Sequence, residues 1–355
     1  MPADPKRTYH SARGISAVRS APYSLGANMR RREFVRLLAA SAVAGPSAVL
    51  AQQPSKTYRL GSLNTAGPLN EQNPNGKILL AALAQRGYAL GQNLSYDARG
   101  AMGDATKIHQ HMTDFKDANV DVVVAVGYPV AVAAKALQLP TVIAWGAGDP
   151  VATGLIDGLA RPGGNITGIS DVATTLTTKR LSLLKELSPG MRRIAMVWNK
   201  DDLGMTLRYE ASAKVAQAVG VTVQALGVRD PNDFEDAFAA MNREPPDAIL
   251  MVNDALTVLN RKRIFDFAFE RRLPAMYEYS FLVRDGGLMS YGPDLKETVE
   301  RAAAMVARIF QGTKPADLPF EEPTQYRFSL NLKTAKAMGL TVPQVILALA
   351  DDVIE

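Results

Sequence analysis

Side chains suited to covalent chemistry are scarce in this chain. Cysteine is absent, which removes a thiol nucleophile, a thiolate metal site and disulfides. Beyond residue 51 the histidines are His109 and His111. Their i,i+2 spacing puts them on different faces of one predicted helix, so a shared metal is not expected. No H-E-x-x-H, G-x-S-x-G or G-x-x-x-x-G-K-[ST] pattern occurs there. Gly146-Ala147-Gly148 opens a dinucleotide-like pattern, but Val151 stands where its third glycine is required. Asp149 is the carboxylate best placed for general-base work, and it serves equally well as a cap for the turn before Pro150. The pairs Asp201-Asp202 and Glu321-Glu322 read as solvated loop acids. Without a convergent nucleophile, base and metal, binding is better supported than catalysis, and no cofactor is expected.

The groups a binding site needs fall at strand ends. Residues 121–126 read as a buried strand that stops at Gly127-Tyr128-Pro129, where an Ala-rich helix begins. The first N–H groups of that helix have no intrahelical partner and would face an anion above the sheet edge. Pro140 opens a second apolar run, 141–145, which stops at Gly146-Ala147-Gly148-Asp149-Pro150. Two β-to-α turns therefore lie side by side at the carboxyl ends of parallel strands, the place where open α/β sheets bind small molecules. Candidate ligand-binding residues from the first half are Leu63, Asn64, Gly127, Tyr128, Pro129, Trp145 and Asp149. The second half and the crossings contribute Asn199, Asn253, Asp254, Tyr277, Glu278 and Tyr291. Aromatic faces, amides, carboxylates and a helix start together suit a zwitterion carrying a flat or apolar group. Trp198 reads as core.

The elements that must position these residues alternate regularly. Strands are predicted over 58–64, 93–99, 121–126 and 141–145, with helices over 77–86 and 106–118 and a third after Pro129. A loop at 160–165 interrupts the rhythm, and a second series follows: strands at 192–198, 221–226, 248–253 and 274–277, helices at 177–187, 206–219, 234–242 and 260–271. Such alternation implies two similar α/β domains with parallel sheets. A strand near 286–293, a helix over 295–310, an extended run 320–331 and a helix over 332–338 close the chain. Crossings between the domains are expected near 169–175, near Gly286 and near Asn331. The first lobe is thus assigned residues 57–170 plus 287–330, and the second 171–286 plus 331–355.

The composition, 47% hydrophobic and 21% charged, is that of a globular protein with ample core. The chain carries +5 overall, yet residues 1–51 hold eight basic and two acidic side chains, which leaves −1 on residues 52–355. No electrostatic footprint for nucleic acid remains. Arg31-Arg32-Glu33-Phe34-Val35-Arg36, then a small-residue apolar run and Ala51 have the layout of an export signal cleaved near Ala51. Its arginine pair suggests the twin-arginine route, its apolar run is too short to span a membrane, and Met29 is an alternative start. The expected location is the periplasm.

Eight longer stretches carry a resemblance. GYALGQNL (87–94), VDVVVAVGYPVAVAAKAL (120–137), GDPVATGL (148–155), LARPGGNITGIS (159–170), KRLSLLKEL (179–187), GGLMSYGPDL (286–295), KPADLPFEEPT (314–324) and NLKTAKAMGLTVP (331–343) resemble, in this order, the ABC-transporter substrate-binding proteins of the tryptophan/aromatic amino-acid-binding type. That resemblance implies a type I periplasmic binding protein: two Rossmann-like lobes joined by three crossovers, closing on a ligand and delivering it to a permease with its ATPase. It also implies a monomer that touches the membrane only transiently, through the permease. The turn Gly127-Tyr128-Pro129 matches the family's Gly-Thr-Pro, whose helix start receives the ligand carboxylate, with Tyr128 in place of Thr. Gly148-Asp149-Pro150 matches intact, and Asp149 is implied to face a ligand amine. Two other readings stand beside this one: a periplasmic sensor presenting its ligand to a receptor or kinase, and a secreted α/β enzyme using Asp149 or Glu278 as base on a small carboxylate.

Overall fold

The computed structural model describes residues 56–170 and 172–355; the expected export signal at 1–51 lies outside them. Two sheets organise the described chain. The first holds β1 (Tyr58–Asn64), β2 (Leu94–Gly100), β3 (Val122–Val126), β4 (Thr141–Trp145) and β5 (Ile166–Gly168), in the order β2-β1-β3-β4-β5. All of its pairings are parallel. A parallel sheet is covered on both faces, which is why β3 is an unbroken buried run of VVVAV. Its side chains alternate between two cores. Val122, Val124 and Val126 join Leu60, Val142 and helices Pro74–Ala84 and Leu295–Phe310. Val123 and Ala125 join Ile143 and helices Ala105–Asp117 and Tyr128–Ala136 on the other face.

The second sheet contains β6 (Arg193–Asn199), β7 (Thr222–Val228), β8 (Ala248–Met251), β9 (Ala275–Tyr277), β10 (Met289–Pro293), β11 (Tyr326–Asn331) and β12 (Asp352–Ile354). Its order is β12-β11-β10-β9-β8-β6-β7, and only the β10–β11 pairing is antiparallel. Read from β7, the first five strands repeat the first sheet: second strand, first strand, then third, fourth and fifth. In such an order the chain reverses direction beside its first strand, and the crevice between the tips of the first and third strands is the natural ligand site. Here that point lies between β1 and β3 in one lobe and between β6 and β8 in the other.

Three segments join the lobes, as expected, but two of them cross elsewhere. The first runs from β5 into helix Ala173–Leu187. The second follows β10 at Asp294 rather than Gly286, because Gly287 packs against the Tyr277 ring inside the second lobe and β10 pairs with β9 there. The third precedes β11, not Asn331. Residues 294–325 alone return to the first lobe, where the Thr167 hydroxyl donates to Leu318 O at 2.8 Å and Ser170 N–H to Glu321 O at 2.8 Å. The expected placement of 287–293 and 326–330 in the first lobe is therefore corrected: apolar alternation marks those runs as strands but not which sheet they join. No described helix is long and apolar enough to cross a membrane.

Candidate functional site

In the first lobe the reversal point is shaped by Gly127. Its φ of +95° belongs to glycine, and a Cβ there would lie 2.6 Å from the Thr65 methyl, so the tips of β1 and β3 approach only because the side chain is missing. Gly127 N–H donates to Trp145 O at 3.1 Å. Helix Tyr128–Ala136 starts on Gly127 with no side chain capping it, which leaves its positive end bare at the crevice. Asn64 braces the adjoining loop, donating to Gly67 O at 2.7 Å and accepting from Ala66 N–H at 3.1 Å.

The same place in the second lobe is acidic. Asn199 at the tip of β6 donates to Asp254 Oδ2 at 2.7 Å, tying that tip to β8. Asp254 caps the turn Ala255–Leu259 in a reciprocal capping box with Thr257. Asp202 caps helix Leu203–Ala218, its Oδ1 accepting from Met205 N–H at 3.1 Å. It is only 5% exposed. Burial, and then the neighbouring Asp254 charge, push its carboxyl up to about 7, against the pull of Arg208 and of the Met205 and Gly204 N–H groups. Burial raises the Asp254 carboxyl as well. Beside it, Asn253 is 7% exposed and its side-chain oxygen is buried without a hydrogen-bond partner.

These two points meet. A Cβ on Gly204, in the first turn of the second lobe's helix, would lie 3.1 Å from Ala147 O and 3.2 Å from Tyr128 Cβ, both in the first lobe. Tyr128 is half-buried, and its phenol is raised by burial and then by the charge of Asp202. Behind the acids an apolar wall is formed by Trp198 stacked on Tyr209, with ring centroids 3.6 Å apart, together with Met205 and Val252.

Of the predicted residues, Asn64, Gly127, Tyr128, Pro129, Asn199, Asn253 and Asp254 stand at the two reversal points. The others do different work. Leu63 and Trp145 are buried in the two cores of the first lobe. Tyr277 ends β9 but is 1% exposed, and its ring packs edge-on against Phe265 and over Gly287 in the core of the second lobe. Glu278 is buried between two guanidiniums, Arg208 at 2.7 Å and Arg180 at 3.4 Å. Tyr291 accepts from Arg180 Nε at 2.7 Å through its carbonyl and lays its ring near Tyr326. Asp149 is exposed, and its Oδ1 accepts from Val151 and Ala152 N–H at 2.9 and 3.0 Å, the turn-capping arrangement. With Asp149 occupied by its own turn and Glu278 by two arginines, neither is placed as a general base. Asp202, read from sequence as solvated, is the residue missed; an acid three positions ahead of Met205, just past a strand end and opening a helical run, is the signal that identifies it.

Comparison with known proteins agrees with this architecture. The family described as ABC transporter substrate binding protein matches residues 74–354. The tyrosine-binding protein of Clostridioides difficile is 24% identical over 265 residues, covering 74% of this chain and 76% of its own. Among solved structures, a conserved domain protein of Vibrio cholerae O1 biovar El Tor superposes with a TM-score of 0.78 at 25% identity, covering 84% of this chain and 100% of its own. The ABC domain of Streptococcus pneumonia in complex with L-Trp gives a TM-score of 0.76 at 24% identity, with coverage of 84% and 100%.

Proposed function

The chain belongs to the ABC transporter substrate binding protein family, and from that premise we propose that it captures an α-amino acid with an aromatic side chain between its lobes and releases it unchanged. One observation carries the reading: the two reversal points, brought together at Tyr128 and Gly204, have opposite polarity. The bare start of helix Tyr128–Ala136 takes the carboxylate. Asp202, Asp254 and the free Asn253 oxygen take the ammonium, whose three N–H donors match three acceptors. Tyr128, half-buried where the two points meet, offers the side chain an aromatic face. The names of the tyrosine-binding relative and the L-Trp complex fit the same class.

The family and the sequence of residues 1–51 support a wider role for this reading. The protein is exported to the periplasm, acts as a monomer, and hands its ligand to an ABC permease and its ATPase. It contributes capture and closure, and the ligand drives closure only by preferring the closed arrangement. Thermal-shift screening of the purified chain against the common amino acids tests this. Tyrosine, tryptophan or phenylalanine should raise the melting temperature by several degrees at about a hundred times their Kd. No shift with any of the three would refute the aromatic assignment.

A further inference from the structure

A pair of glycines brings the backbones of the two lobes into close contact. A Cβ on Gly148, in the turn after β4, would lie 3.0 Å from Gly204 Cα and 3.0 Å from Gly204 O. Conversely, a Cβ on Gly204 would lie 3.1 Å from Ala147 O and 3.2 Å from Asp202 Oδ1 and Tyr128 Cβ. Gly148 has a second reason to be glycine, its φ of +71°. Gly204 has no such reason. It sits at the second position of helix Leu203–Ala218 with no positive φ, where alanine is the better helix former. Local structure therefore disfavours the residue, while the lobe opposite crowds any side chain placed there.

We propose that Gly204 is a closure stop: the missing side chain lets the second lobe's helix start seat on Ala147–Gly148 and Tyr128, and so sets how tightly the lobes shut on a ligand. The contact adjoins both polar groups of the ligand site. Gly204 follows the Asp202 cap by two residues, and the surface it meets begins the uncapped helix at Tyr128. Any side chain at 204 holds the carboxylate-binding helix start and the ammonium-binding acids apart. A wedge of a few tenths of an ångström weakens both contacts at once, since charge-assisted hydrogen bonds are short and directional. Gly204 is thus a positioning residue that touches no ligand, and its assignment rests on the binding role proposed above.

Gly204→Ala, Gly204→Leu and, as a control in the same lobe, Gly190→Leu separate closure from folding, because a Cβ on Gly190 meets nothing within 4 Å. The cysteine-free chain allows spin labels at Leu90→Cys and Val219→Cys, exposed positions on different lobes. Gly204→Ala should raise the ligand-free melting temperature by about 2 °C as a helix-favouring change, yet weaken L-tyrosine or L-tryptophan binding roughly 10-fold. Gly204→Leu should weaken it about 100-fold or more and remove the ligand-induced change in label-to-label distance, while Gly190→Leu stays within about twofold of the parent. Parental affinity and parental distances in Gly204→Leu would overturn the proposal. If the parent chain binds none of the amino acids, the ligand assignment fails alone. The label-to-label distances of the ligand-free chain, shifted or unchanged in Gly204→Leu, then decide the role of Gly204.

Discussion

In the first lobe, the helix at the reversal point starts on Gly127 with no side chain over its free N–H groups, whereas in the second, helix starts at the matching place carry Asp202 and Asp254. The strand order that places them is the same in both sheets. Topology decides where a ligand can sit, and one or two capping residues decide which charge it must present. Two lobes alike in topology and opposite in polarity are what a zwitterion requires. The lobes differ also in how they hold their crossings. The second buries Glu278 between Arg180 and Arg208 beneath the Tyr291–Gly292 segment, where a Cβ on Gly292 would collide with Glu278 O. The first ties its returning segment through the partly exposed Arg301, which pairs with Glu297 at 2.8 Å and with Glu321.

That second contrast sets the largest expected effect. Glu278→Gln takes away the carboxylate that two buried guanidiniums share and should cost about 3–5 kcal/mol in urea unfolding. Arg301→Gln, in the more solvated cluster, should cost no more than about 1 kcal/mol. Equal losses would erase the distinction between the two hinge attachments.

Next comes the acidic side of the cleft. Asp202→Asn keeps the helix cap but removes a charge, and should weaken aromatic amino-acid binding about 30–100-fold, or about 2–3 kcal/mol. The same change should stabilise the ligand-free chain above neutral pH. The folded chain holds the Asp202 proton up to about 7 and the unfolded chain near 3.8, so the penalty of ionising this buried carboxyl grows as pH rises through that interval. A variant that melts lower than the parent at pH 8 would contradict the assigned burial. Ligand affinity should run the opposite way, since the ammonium needs the ionised acid. Calorimetry should show affinity rising by up to about tenfold per pH unit below about 7 and levelling above it, with the slope reduced in Asp202→Asn. The smallest effect belongs to Asp149→Asn, which alters an exposed turn cap and should change affinity by less than about twofold. A loss as large as that of Asp202→Asn would return the ligand amine to Asp149.

Much of this was legible in the chain itself. The βα rhythm, the Gly127-Tyr128-Pro129 turn and the helix start behind it follow from apolar runs broken at glycine and proline, and the structure has them where the pattern puts them. What the pattern lacks is direction. Tyr277 and Glu278 sit at a strand end, as read, but a strand of three residues points Tyr277 into the core, and the arginines that enclose Glu278 come from helices 70 and 98 residues away. Sheet membership of Met289–Pro293 and Tyr326–Asn331 is equally a long-range matter, set by pairing with β9 and with each other. Asp202 reads as solvated because a polar neighbour, Asp201, makes the pair look like a loop; its burial is visible only in three dimensions.

The claim that the lobes divide a zwitterion between them is tested most directly by taking the ligand's charges away one at a time. Titration calorimetry of the purified chain with L-tyrosine or L-tryptophan, with its carboxamide and with its deaminated acid should give tight binding to the parent amino acid and a loss of about 100-fold or more for each derivative. Asp202→Asn should spare the deaminated acid while it weakens the parent ligand. Binding of either derivative as tightly as the amino acid itself would show that one lobe's charge is not used, and would contradict the account.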